Sequence, residues 1–180
     1  MALNFSTVVL MLTLFSCKNS KNRETYLFDA LEQKHIAPNW RLQLPPNAQI
    51  SRFDSTKRFI STITLPNDSL LIKCELLHID IEAGADCSYS ETVAKTQKAA
   101  DGGICQGDGT TEIAYETVVN AATKMAGVRG DWYENGRQFV TFSVIDCPSG
   151  EYLTLYFEQI SSEHTKLIDN IIRSTKFESR

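Results

Sequence analysis

The sequence has no concentrated run of lysine or arginine. Its 18 basic and 22 acidic residues are spread along the chain and leave a net charge of −4. The basic face that neutralises a phosphate backbone is therefore missing, and no nucleic-acid partner is expected. Histidine is scarce, at three residues, and no two of the five cysteines approach the short Cys-x-x-Cys type of spacing that zinc sites favour. No Gly-Lys-Ser/Thr follows a glycine run, which removes a phosphate-cradling loop. The acids of "DGGICQGDG", Asp101 and Asp108, lack the alternate positions and late glutamate of a calcium loop. The expectation is no metal and no cofactor. The apolar run from Leu3 to Phe15 is also too short to cross a bilayer, since a spanning helix needs roughly 20 apolar residues.

What is present is 42% hydrophobic residues in a chain of 180, enough for one domain with a real core. Leu3 to Phe15 has the length and position of the h-region of a secretory signal, although "MALNFST" contributes no Lys or Arg to a positive n-region. It ends in "LFSC". Leu14, Phe15, Ser16 and Cys17 resemble the lipobox of bacterial lipoproteins, with an apolar start, a small residue before the cut and cysteine after it. The resemblance implies cleavage after Ser16 and lipidation of Cys17, with a plain signal peptide or a mis-called start as the alternatives. Two or more acyl chains on one residue anchor a protein stably without spanning the membrane. Residues 1–16 are then a signal peptide, and 17–25 are the lipidated cysteine with a polar tether, "KNSKNRE". Residues 26–180 form a single domain. The absence of an acidic block after Cys17 favours the periplasmic face of the outer membrane, with the lipid bilayer as a partner.

Four cysteines remain: Cys74, Cys87, Cys105 and Cys147. An even number in an exported chain points to disulfides, with three possible connectivities. Cys87 and Cys105 flank a predicted helix and a glycine-rich loop, so the expected pairs are Cys87–Cys105 and Cys74–Cys147.

Periodicity places the elements. "ETYLFDALEQKHI" has helical spacing at Leu27, Ala30, Leu31 and Lys34. "NWRLQLPP" alternates as a half-buried strand through Trp40, Leu42 and Leu44. "RFISTITLPNDSLLIKCELLHIDIE" reads as two strands joined at Pro66-Asn67-Asp68. Its second strand changes apolar face between Leu76 and Leu77, which requires a bulge or cover on both sides. "SYSETVAKTQKAADGG" is a predicted helix with Ser90 as N-cap and Gly102 as stop. "TEIAYETVVNAATKMAG" is a second, although its Tyr-Glu-Thr-Val-Val has strand propensity. Asn135-Gly136 signals a hairpin, "CPSG" a further turn, and "EYLTLYFE" completes a three-strand meander. "SSEHTKLIDNIIRSTKF" closes the chain as an amphipathic helix with Leu167, Ile168, Ile171 and Ile172 on one face. The fold class is α+β, an antiparallel sheet flanked by helices.

"LQLPPNA", "AGVRGDWYENGRQFVTFSV", "YLTLYFEQ" and the closing helix with its Ser174-to-Phe177 tail together resemble the Mog1/PsbP-like families over roughly residues 40–177. The resemblance implies an α/β/α sandwich that serves as a binding or assembly factor without catalysis, and it transfers no functional residue. Several groups have side chains capable of chemistry. His78, Asp80 and Glu82 share a strand face and read as a solvated face more readily than as ligands. Cys105 with His78 or His164 would be a nucleophile and base in an oxidising compartment that disfavours free thiols. Trp40, Trp132 and Tyr133 are structural aromatics or partner anchors. The expected function is a non-enzymatic, membrane-anchored periplasmic module binding a protein or small ligand. The alternatives are an immunity lipoprotein that neutralises a delivered toxin and a thiol- or metal-dependent envelope hydrolase. Mass spectrometry of protein from its own host is expected to find a chain that begins at an acylated Cys17. Cys17→Ser should abolish both that mass and palmitate labelling, and an unmodified residue 17 in mature protein would contradict the anchor.

Overall fold

Side-chain alternation decides the architecture. In strand β9 (Glu151–Glu158), Leu153, Leu155 and Phe157 are completely buried, while Tyr152 and Tyr156 stand half-buried on the opposite face. The computed structural model describes residues 31–55, 58–102 and 113–178. The leader, Cys17, its tether up to residue 25, Cys105 and Asp108 lie outside the described residues.

β9 lies inside a seven-stranded antiparallel sheet. Its partners are β8 (Arg137–Asp146) on one side and β5 (Leu71–His78) on the other. Beyond β8 come β7 (Met125–Glu134) and β6 (Ile113–Asn120); beyond β5 come β4 (Arg58–Thr64) and β3 (Gln49–Ser55). The β7–β8 turn uses Asn135 and Gly136 at φ 50° and 73°, as a two-residue hairpin of right-handed twist requires. A second sheet, in the order β1 (Glu32–Ala37), β2 (Trp40–Leu44), β10 (Lys176–Phe177), covers one face. Trp40, Leu42 and Leu44 enter the same core as Ile72, Phe142 and the three buried β9 residues. A short 3-10 turn at Ser162–His164 leads into helix α2 (Thr165–Arg173), whose Leu167, Ile168, Ile171 and Ile172 are buried there too. Each such side chain contributes roughly 1.5–3 kcal/mol of burial. Helix α1 (Tyr89–Gly102) packs on β6 and β7. The fold is thus α+β, mostly strand, with two antiparallel sheets and two helices among the described residues.

Polar groups fix these layers. His164 Nδ1 accepts the Ser161 N–H at 3.0 Å, so its proton sits on Nε2, 2.7 Å from Asp68 Oδ1 in the β4–β5 turn. Asp68 Oδ1 also accepts the Leu70 N–H. Glu151 accepts Asn39 Nδ2 at 2.6 Å and Trp40 Nε1 at 2.9 Å, which joins β9 to the small sheet. Arg129 on β7 makes a bidentate pair with Asp131 and reaches Asp169 of α2 at 2.5 Å. Burial opposes its charge, but the hydrogen bonds to the two aspartates outweigh that effect and raise its pKa.

The structure corrects several expectations. The helical reading of "ETYLFDALEQKHI" fails from Glu32 onward, because β1 pairs with β2 and buries Ile36 and Ala37. "TEIAYETVVNAATKMAG" is no helix either: β6 and the start of β7 form a hairpin there. Asn120 Oδ1 organises its turn by accepting the Ala122 and Thr123 N–H groups at 3.1 and 3.2 Å, and the β-branched residues win over the helical stripe. Of the two causes expected for the change of apolar face in β5, a bulge is excluded, since its register with β9 runs unbroken from Leu71 to His78. Ser88, not Ser90, caps α1 through Glu91 N–H at 3.3 Å.

The disulfide joins Cys87 to Cys147, so neither expected pair, Cys87–Cys105 or Cys74–Cys147, is the one formed. Cys74 is free and buried. The bond ties the entry to α1 to the β8–β9 turn. In that turn Gly150 has φ 72° and its carbonyl receives the Ile79 N–H at 2.9 Å, and a Cβ on it would meet Ile79 O at 2.3 Å. Closing a 60-residue separation is worth about 4 kcal/mol in the chain-entropy model. Non-reducing peptide mapping should find the 87–147 link. The double variant Cys87→Ser, Cys147→Ser should lose about 4 kcal/mol in denaturant titration.

Candidate functional site

The second face of the large sheet is covered only in part. α1 lies over β6 and β7 and presents Lys95, Thr96 and Ala99, which fall on one side of the helix by their spacing. Between it and the exposed faces of β5 and β9 runs a groove of about 580 Å³. That volume is typical of a ligand pocket.

Strand register sets its floor in three bands. At one end Leu77, Tyr152 and Ile145 stand side by side on β5, β9 and β8. The middle band is Glu75, Thr154, Ser143 and Val128, with Ser143 Oγ and Thr154 Oγ1 3.3 Å apart. The far band is Tyr156, Thr141, Gly130 and Tyr115. Gly130 matters here: a Cβ on it would lie 3.0 Å from the Tyr115 ring and 3.1 Å from Thr141 Oγ1, so the glycine lets the tyrosine lie across the floor. Trp132, stacked on Phe139 at 5.7 Å, lines the same end. The lining is therefore mainly aliphatic and aromatic, with hydroxyls across its centre. None of the lining residues is a cysteine or histidine, so Ser143 and Thr154 have no imidazole beside them to act as a base.

Of the residues singled out in the sequence, those that are described lie elsewhere, with one exception. β5 ends at His78, so Asp80 and Glu82 leave the alternation, and all three are exposed. No group of three metal-capable side chains occurs among the described residues. His164 is on the core side, bound to Asp68 and Ser161. Asp101 accepts Gln97 Nε2 at 2.7 Å near the end of α1. Trp40 is core, set edge-on to Phe177 at 5.3 Å, while Tyr133 is 63% exposed. Trp132 alone reaches the groove. In "EYLTLYFE" the apolar alternation marks only the buried face, and the floor residues Tyr152, Thr154 and Tyr156 lie on the other. Two tyrosines on the other face of an internal strand were the available signal.

No family model matches the chain, and no curated protein is significantly similar to it. Among solved structures it is similar to LpqN of Mycobacterium tuberculosis, described as involved in cell envelope biogenesis. The TM-score is 0.43 and the identity 16%, over 86% of this chain and 95% of that one. At that level the likeness carries no statement about function. No helix among the described residues is long and apolar enough to cross a membrane.

Cys74 lies outside the groove, in the core opposite Ser61. Burial pushes its thiol up to about 12, against a smaller opposing effect of the Ser61 hydroxyl. It is therefore inert as a nucleophile at neutral pH. The folded state holds this proton more tightly than the unfolded chain, so its stability is intact below pH 9 and falls as pH rises toward about 12. The expected slope is at most about 1.4 kcal/mol per pH unit. Unfolding titrations between those limits should show a shallower pH dependence for Cys74→Ala than for the wild type.

Proposed function

We propose that this chain is a non-enzymatic binding module of the bacterial cell envelope, held at the membrane through acylated Cys17, with its ligand seat in the groove between α1 and the large sheet. The groove is the observation that carries the reading. It is a formed concavity whose surface is mostly apolar, with several hydroxyls and the charged Glu75 and Lys95 in its lining, the usual chemistry of a small-ligand site. Ser143 and Thr154 are engaged with one another, and no histidine or cysteine lines the groove to form a nucleophile–imidazole pair. The disulfide supports an oxidising compartment, since such bonds persist outside the cytosol.

A Mog1/PsbP-like arrangement is part of the same proposal. What supports it is the antiparallel meander β7–β8–β9, followed by α2 and a tail in which Phe177 packs on Trp40. Folds of this kind present a sheet face or its loops to a ligand.

The test is native mass spectrometry of the wild type and of Thr154→Trp after exposure to a delipidated extract of the host envelope and to its lipid fraction. Wild type is expected to retain a stoichiometric small ligand, released unchanged by denaturation. Thr154→Trp, folded by circular dichroism, should retain none. Release of a chemically altered ligand would overturn the non-enzymatic reading, and equal retention by Thr154→Trp would remove the groove from it.

A further inference from the structure

We infer that the groove takes the unbranched alkyl chain of a single-chain amphiphile, an inference that rests on the groove being the ligand seat. The argument is one of exclusion by hydrogen bonding. The floor strands β5, β9, β8 and β7 are all internal to the sheet, each paired on both sides. They offer a ligand no free backbone edge, only side chains; β6, which adds Tyr115, is an edge strand but packs against α1. A peptide laid in the groove would bury N–H and C=O groups with nothing to meet most of them, whereas strand-adding recognition needs an edge. A sugar would demand polar partners over most of its surface; the lining carries Glu75, Lys95 and several hydroxyls, but most of its exposed surface is apolar. An alkyl chain has no such needs, and every methylene removed from water favours it.

Two further observations give the chain a direction. The apolar end of the floor does not close. Leu77 is 41% exposed, and the backbone continues from it through Ile79 and Ile81, exposed at 42% and 36%. Leu77 lines the groove, and the exposed aliphatic side chains that follow it in the chain offer apolar surface next to that end for a chain entering from a bilayer or micelle. Halfway along, the band of Ser143 and Thr154 lies across the path, so a polar substituent there finds hydroxyls. The same alkyl chemistry is shared by free fatty acids and lysophospholipids.

The experiment uses the folded protein and a dansyl-labelled fatty acid as fluorescent probe. It is displaced by saturated fatty acids of increasing length, by lysophosphatidylcholine, and by glycerophosphocholine as a headgroup control. Affinity is expected to rise about two- to fourfold per added methylene and then level off when the groove is full. Glycerophosphocholine should not compete. Displacement by lysophosphatidylcholine alone would assign the chain to a phospholipid, and displacement by fatty acids alone to the free acid. Ala99→Trp, which fills the groove from the helix, should abolish binding. Leu77→Asp, at an exposed position that leaves the core untouched, should weaken it about tenfold. Binding unchanged in both variants would overturn the site and the groove reading with it. No alkyl compound displacing or binding, while a ligand without an alkyl chain is held by the wild type and lost in Ala99→Trp, would overturn the alkyl chemistry and leave the groove reading standing.

Discussion

The strict two-residue period of β9 is the constraint from which the rest follows. A strand at the centre of a seven-stranded sheet has no edge for solvent, so both of its faces must be accounted for. One face, Leu153, Leu155 and Phe157, holds the small sheet and α2 against the large one. The other, Tyr152, Thr154 and Tyr156, is left between α1 and β5 because one helix cannot cover the width of the sheet. The core and the groove are thus the two sides of the same eight residues.

Polar bonds then hold the layers in position, and they sit at the borders of the core. Glu151 satisfies the indole N–H of a completely buried Trp40, and His164 bridges the start of α2 to the β4–β5 turn. Arg129 pins α2 to β7. Each contact joins elements distant in sequence, and a buried donor or acceptor stripped of its partner costs about 1–3 kcal/mol. The wall of the groove depends on a bond of another kind, the Cys87–Cys147 link at the entry to α1.

The legibility of the fold in the sequence followed the strength of local signals. Asn135-Gly136, the alternation of β8 and β9 and the stripe of α2 were all readable because turn chemistry and periodicity agreed there. β6 is ambiguous in the sequence because Ile113, Thr117, Val118 and Met125 also fit a helical stripe, and only pairing with β7 decides between the two. The segment at Glu32 failed for the same reason, since β1 is a strand by virtue of β2. The disulfide was hidden because connectivity depends on which ends of the elements meet in space, and the β8–β9 turn meets the entry to α1. The groove was the least readable feature. Its floor comes from β5, β7, β8 and β9, and attention to apolar alternation directs the eye to the opposite face.

The placement of β1 and β10 on either side of β2 has a practical meaning. The described chain enters and leaves through the same small sheet, on the side of the large sheet turned away from α1 and the groove. Both described ends of the chain therefore lie on the face opposite the groove, and the strands that carry them can be altered without touching its floor.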